Sequence, residues 1–153
     1  MKYYEEITIY VDEGTYLKIS EIEKFEDGLS EYAAKLDLRS FGFGLSNYQF
    51  YFNDLGGFVS ELSNSFIGLS GLIKLGHMFE SDFISFDFKK GGHVMVKGIF
   101  VRHSNNTQKL EFEFEIDQTY MKSFVDKFNI ARNALDKIKL KDLPNKSIHR
   151  TAE

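Results

Sequence analysis

From Lys109 to Ile116 polar and apolar residues alternate without a break: Leu110, Phe112, Phe114 and Ile116 against Lys109, Glu111, Glu113 and Glu115. A period of two with one apolar and one charged face predicts a strand of an antiparallel sheet covered on one side only. Upstream, His93 to His103 is rich in Val, Ile and Phe and predicts its hairpin partner, joined through Ser104-Asn105-Asn106. A three-residue loop sets Phe100 opposite Leu110 and puts Val94 and Val96 on the face of Phe114 and Ile116. Lys97 then lies opposite Glu113 on the outer face, which Met95, Ile99 and Val101 share. Gly98 is the point at which a bulge would shift this register. Beyond the strand, Asp117 is placed to cap a helix. Met121, Phe124, Phe128, Ala131, Leu135 and Ile138 follow at spacings of three and four, the stripe of an amphipathic helix.

The same reading extends to the rest of the chain. Glu6 to Val11 and Thr15 to Ile22 predict two strands around the turn Asp12-Glu13-Gly14. Tyr32 to Phe52 is strand-like throughout, with Phe41-Gly42-Phe43-Gly44 shifting the phase. Two strands, or one bent strand with a bulge near Ser40 or Ser46, both fit. Asn53 or Asp54 caps a helix whose stripe is Leu55, Phe58, Val59, Leu62, Phe66 and Leu69. Gly71 to Gly76 reads as a short apolar linker, Asp82 to Phe88 as a strand, and Lys89 to Gly92 as a turn. Strand meanders feeding helices predict an α+β fold. The expected architecture is one antiparallel sheet of five or six strands with both helices packed on its apolar face. Residues 1–144 form a single domain in this reading, and 145–153, after the lone proline Pro144, a flexible tail.

Three stretches carry a resemblance to a known family. GGHVMVKG followed by LEFEFEIDQTYMKSFVDKF resembles the strand and strand-to-helix junction of bacterial immunity proteins of the WapI type. YQFYFNDLGGFVSELSNSF resembles that family's earlier strand entering a helix. The likeness runs roughly from Leu36 to Leu135 and rests mostly on apolar and turn positions; the acidic N-terminal segment departs from it. It implies a protein that binds and neutralises the toxic C-terminal domain of a polymorphic toxin.

Composition narrows the partners. At 153 residues the chain is long enough to bury a core, and its 16 Phe and 8 Tyr make that core aromatic. With no cysteine, neither disulfides nor thiolate metal sites arise. No basic leader followed by an apolar run opens the sequence, and no stretch approaches the ~20 apolar residues of a membrane span, so a cytoplasmic location is expected. The net charge of -4 is uneven: residues 1–31 carry three Lys against nine Asp or Glu, whereas 118–153 carry eight basic against four acidic residues. An acidic N-terminal segment argues against nucleic acid as the partner and suits a basic protein such as a nuclease toxin.

Catalytic and cofactor signatures are missing from the sequence. The four histidines show no HExxH spacing, and His93 and His103 would sit about 33 Å apart on one strand. No GxxxxGK[ST] loop, dinucleotide fingerprint or GxSxG elbow occurs, so no cofactor, metal or nucleophile is expected. Glu111, Glu113 and Glu115 form the one regular carboxylate array, at about 6.8 Å spacing along a strand. Three like charges on an exposed face stay ionised, which fits docking better than acid catalysis. The residues expected to contact a partner are therefore Glu111, Glu113 and Glu115 with Lys97, Met95, Ile99 and Val101, and the acidic Glu21, Glu23, Glu26 and Asp27. The alternative is a small-ligand domain with an aromatic pocket between sheet and helices, drawing on Phe41, Phe43, Tyr48 and Tyr51.

Overall fold

Alternating segments become strands and three-four stripes become helices, but they assemble into two sheets rather than one. The computed structural model describes residues 1–26, 31–103 and 105–142, the side chains of His103 and of 137–142 excepted. In chain order the elements are β1 (Lys2–Tyr3), β2 (Ile7–Asp12), β3 (Thr15–Lys24), β4 (Glu31–Ser40) and β5 (Phe43–Asn53). Then come α1 (Leu55–Gly68), β6 (Gly71–Gly76), β7 (Phe83–Lys89), β8 (His93–His103) and β9 (Thr107–Asp117). A 3-10 turn over Gln118–Tyr120 leads into α2 (Met121–Asp142). The first sheet has the order β1-β3-β4-β5, with β2 also paired to β3; the second is the meander β6-β7-β8-β9. All pairings are antiparallel.

The α+β class is as expected, and the single sheet is corrected. Gly71 to Gly76 is not a linker: it is β6, the edge strand that opens the second sheet, with Ile73 and Leu75 buried. Its alternation is only four residues long and is blurred by the exposed Leu72, so period-two reading had little to work on. The Tyr32 to Phe52 region resolves into two strands. Phe41 and Gly42 form the turn, and Asn47, at φ 54°, makes a bulge whose N–H donates to the Asp37 carboxylate at 3.1 Å. The short β1 was not foreseen. Ile138 of the helix stripe lies within α2 with its side chain outside what the structure describes, and the tail after residue 144 lies outside it altogether.

Both sheets turn their apolar faces into one core. Ile7, Ile9, Leu17, Ile19, Leu36 and Phe50 come from the first sheet, and Ile84, Phe86, Val94, Val96 and Phe114 from the second. The helices complete it through Phe58, Val59 and Leu62 of α1 and Met121, Phe124, Phe128, Ala131 and Leu135 of α2. Helix starts are set locally. Asp54 accepts the Gly57 N–H at 2.9 Å to cap α1, and Asp117 accepts the Thr119 N–H at 2.8 Å to open the turn before α2.

The β8–β9 register is the one read from the sequence: Phe100 opposes Leu110, Lys97 opposes Glu113, and the ladder runs unbroken through Gly98. No bulge forms there. Glycine is required for another reason, because a Cβ at position 98 would sit 2.2 Å from the Phe83 carbonyl oxygen and 2.9 Å from the Phe112 ring. Gly98→Ala is expected to destabilise the fold by about 1–3 kcal/mol through this overpacking. Urea unfolding measures it, and an unchanged midpoint would show that β7 and β8 have room to separate.

Candidate protein-docking face

The pleat places every second residue of β7, β8 and β9 on the outer side of the second sheet, in cross-strand rows. Asp87, Met95 and Glu115 form one row, Ser85, Lys97 and Glu113 the next, and Phe83, Ile99 and Glu111 a third; Val101 and Lys109 follow. Glu111, Glu113, Glu115 and Lys97 are exposed, while Met95, Ile99 and Val101 are half-buried between them. An apolar centre with a charged margin therefore exists on one continuous surface, the composition of a protein contact. Phe83, Lys97, Ile99, Glu111 and Glu113 frame a shallow open depression of about 460 Å³ within it.

The three carboxylates are not equivalent. Glu111 pairs with Lys109 at 2.7 Å and Glu115 with His93 at 3.2 Å, whereas Glu113 carries no ion pair among the described residues. Both contacts are exposed and weak, the second an ion pair only when the His93 ring is protonated.

The acidic N-terminal group belongs elsewhere. Glu21, at φ 49° in the β3 bulge, bonds Lys35 at 2.7 Å and lies 3.6 Å from Lys2, and the Lys35 ammonium holds its carboxyl below the usual range. Glu23 stands beside it on β3, opposite Lys2 and Ala33, and the exposed Glu26 lies 3.8 Å from the N-terminal ammonium. Asp27 lies outside the described residues. Glu21 and Glu23 sit on the first sheet and Glu26 in the turn that follows β3, and no strand pairing joins them to the Glu111–Glu115 strip. The expected contact set thus divides into two surfaces.

Sequence reading missed a polar corner where the sheets meet. Asp82, 1% exposed, accepts the Tyr48 hydroxyl proton and, at 3.1 Å, the Val101 N–H. Burial, reinforced by Asp82, holds the Tyr48 hydroxyl far above the normal tyrosine range, so it stays a donor. The Arg102 guanidinium lies 5.2 Å from the centre of the Tyr48 ring. Tyr48 and Tyr51 line one open depression of about 340 Å³ with His77 and Phe79. Phe41 and Phe43 are not part of it: both are 75% exposed at the tip of the β4–β5 hairpin. Nothing in the Asp82-Phe83-Ile84 run marks its aspartate as buried, since its partners come from residues 48 and 101.

Among the described residues no three His, Cys, Asp or Glu side chains gather as a metal-binding group, and no helix is long and apolar enough to cross a membrane. Compared with known proteins, the chain matches no family model, no curated protein and no solved structure.

His77 gives this corner a pH dependence. Its Nδ1 accepts the N–H groups of Phe79 and Glu80 at 3.0 and 3.2 Å, so the ring is neutral. Burial lowers its pKa, against the opposing pull of Asp82 and Glu80. The unfolded chain then binds the proton more tightly than the folded one. The stability this residue contributes is present above about pH 6.5, the unfolded value, and falls away below it. The urea midpoint is expected to drop between pH 7.5 and 5.5, and His77→Gln to remove part of that drop. Equal drops in both proteins would assign it to other groups.

Proposed function

We propose that this chain is a cytoplasmic immunity protein that binds the toxic C-terminal domain of a polymorphic toxin and blocks it by occlusion. The observation that carries the reading is the outer face of the second sheet: Met95, Ile99 and Val101, half-buried, bordered by the exposed Glu111, Glu113 and Glu115. The resemblance of the strand-to-helix junctions to WapI-type immunity proteins supplies the class of partner. Carboxylates along β9 favour a basic protein, speed its encounter and disfavour phosphate-bearing ligands. The apolar residues between them supply the area that excludes water once the surfaces meet.

Co-expression with the C-terminal domain encoded by the adjacent upstream reading frame is expected to protect the cell and to yield a complex. Absence of both protection and complex would sink the proposal. Calorimetry at low and moderate salt should show tight, salt-sensitive binding. Replacing Glu111, Glu113 and Glu115 together by Lys is expected to slow association at low salt by about tenfold or more while leaving the fold intact. Unchanged association rates in low-salt stopped-flow measurements would reject this face as the docking surface.

A further inference from the structure

The turn between β4 and β5 breaks a local rule. Phe41 and Gly42 both have positive φ, at 52° and 90°. Two-residue hairpin turns of this kind favour Asn-Gly or Gly-Gly, because a bulky side chain in the left-handed region is strained. Phenylalanine at the first position therefore works against the fold. Burial does not compensate, since Phe41 and Phe43 are each 75% exposed and neither belongs to the core cluster.

The tip is nonetheless held firmly. The Gly42 N–H donates to the Gly14 carbonyl at 2.9 Å and the Phe41 N–H to the Thr15 hydroxyl at 3.2 Å. Arg39 donates to the Gly42 carbonyl at 3.3 Å, and Ser40 donates across to the Glu113 carbonyl of β9, also at 3.3 Å. Thr15 and Ser40 are themselves buried. The two rings thus project from a prong braced on the β2–β3 turn and on β9. A preorganised pair of exposed aromatics is what an interface anchor requires, with large apolar area and little left to order on binding.

Charge decides what the prong enters. Asp12 and Glu13, both exposed, occupy the turn to which Gly42 is bonded, and the backbone carbonyl of Glu113 in the acidic strip accepts from Ser40; against these three carboxylates stands the exposed Arg39, bonded at the tip itself. Carboxylates so placed are repelled by an anionic lipid surface and by the same tip of a second copy. They complement an apolar pocket rimmed by Lys and Arg. We infer that Phe41 and Phe43 anchor this chain in an apolar, basic-rimmed pocket of its protein partner, the prong and the β9 strip forming one docking surface. The inference rests on the toxin-binding reading and names the anchor within it.

Phe41→Asn and Phe43→Ala in the full chain test it, with binding to the upstream-encoded C-terminal domain measured by calorimetry and unfolding followed by heat. Asparagine accepts positive φ, so Phe41→Asn is expected to raise Tm by about 2–4 °C. Each variant is expected to weaken binding by about tenfold or more. A gain in stability with a loss of affinity is a combination that misfolding cannot produce. Wild-type binding that both variants keep within about twofold overturns the anchor and leaves the function standing. No binding by the wild type removes the function and the anchor together. Pelleting with phosphatidylserine–phosphatidylcholine vesicles, or dimers in ultracentrifugation, either of them lost in the variants, would overturn the inference by giving the prong a different occupant.

Discussion

Burial of one phenylalanine seam holds the second sheet to both helices, while Phe100 of β8 meets Phe50 of β5 in the first sheet, ring centres 6.2 Å apart. Phe86 of β7 lies 6.2 Å from Phe58 of α1 and 5.4 Å from Phe124 of α2, ring centre to ring centre. Phe128 closes the group at 5.3 Å from Phe58 and 5.0 Å from Phe124, edge to face. A four-stranded meander with one apolar face has no stable existence in water until that face is covered. The same holds for each amphipathic helix. Every element around the seam is thus stabilised by the others, each large side chain contributing roughly 1.5–3 kcal/mol through burial. The edge-to-face contacts add direction to a force that otherwise has none.

Polar ties at the ends of the core fix how the layers sit. Asp136 of α2 accepts the Lys24 ammonium at 2.9 Å and the Tyr32 hydroxyl at 3.0 Å, which pins the helix to β3 and β4. At the other end Asp82 joins Tyr48 of β5 to the Val101 N–H of β8, linking the two sheets directly. The buried Asp82 and the half-buried Asp136 are tolerated in these places because donors meet them from more than one element. Losing a partner would leave an unsatisfied charge, so these contacts restrict the sheets to one arrangement more than they add net stability.

With the interior organised in this way, the outer side of the second sheet is a firm surface rather than a collection of loops. Its half-buried Met95, Ile99 and Val101 are supported from beneath by Val94, Val96 and Phe100 on the same strand. Ser40, reaching from β4 to the Glu113 carbonyl, makes the hairpin prong and the acidic strip parts of one edge of the molecule. That adjacency arises from the meeting of two sheets and from nothing in the local sequence of either. An exposed, strained Phe41 is kept in place because its N–H and that of Gly42 are both bonded to the β2–β3 hairpin.

Local chemistry was enough to determine the elements and much of the candidate surface. Strict alternation placed Glu111, Glu113 and Glu115 on one face, and a three-residue loop set Lys97 opposite Glu113, because side-chain direction in a hairpin follows from period and loop length alone. The helix stripes and the Asp54 and Asp117 caps were legible for the same reason: their partners lie within four residues. Partners distant in sequence were not legible. The sequence reading made β6 a linker and joined two sheets into one. Asp82 looked like an ordinary strand-start aspartate until Tyr48 and Val101 met it. Only tertiary structure decides such matters, because burial and long-range hydrogen bonding depend on which surfaces the whole chain brings together, and periodicity carries no information about that.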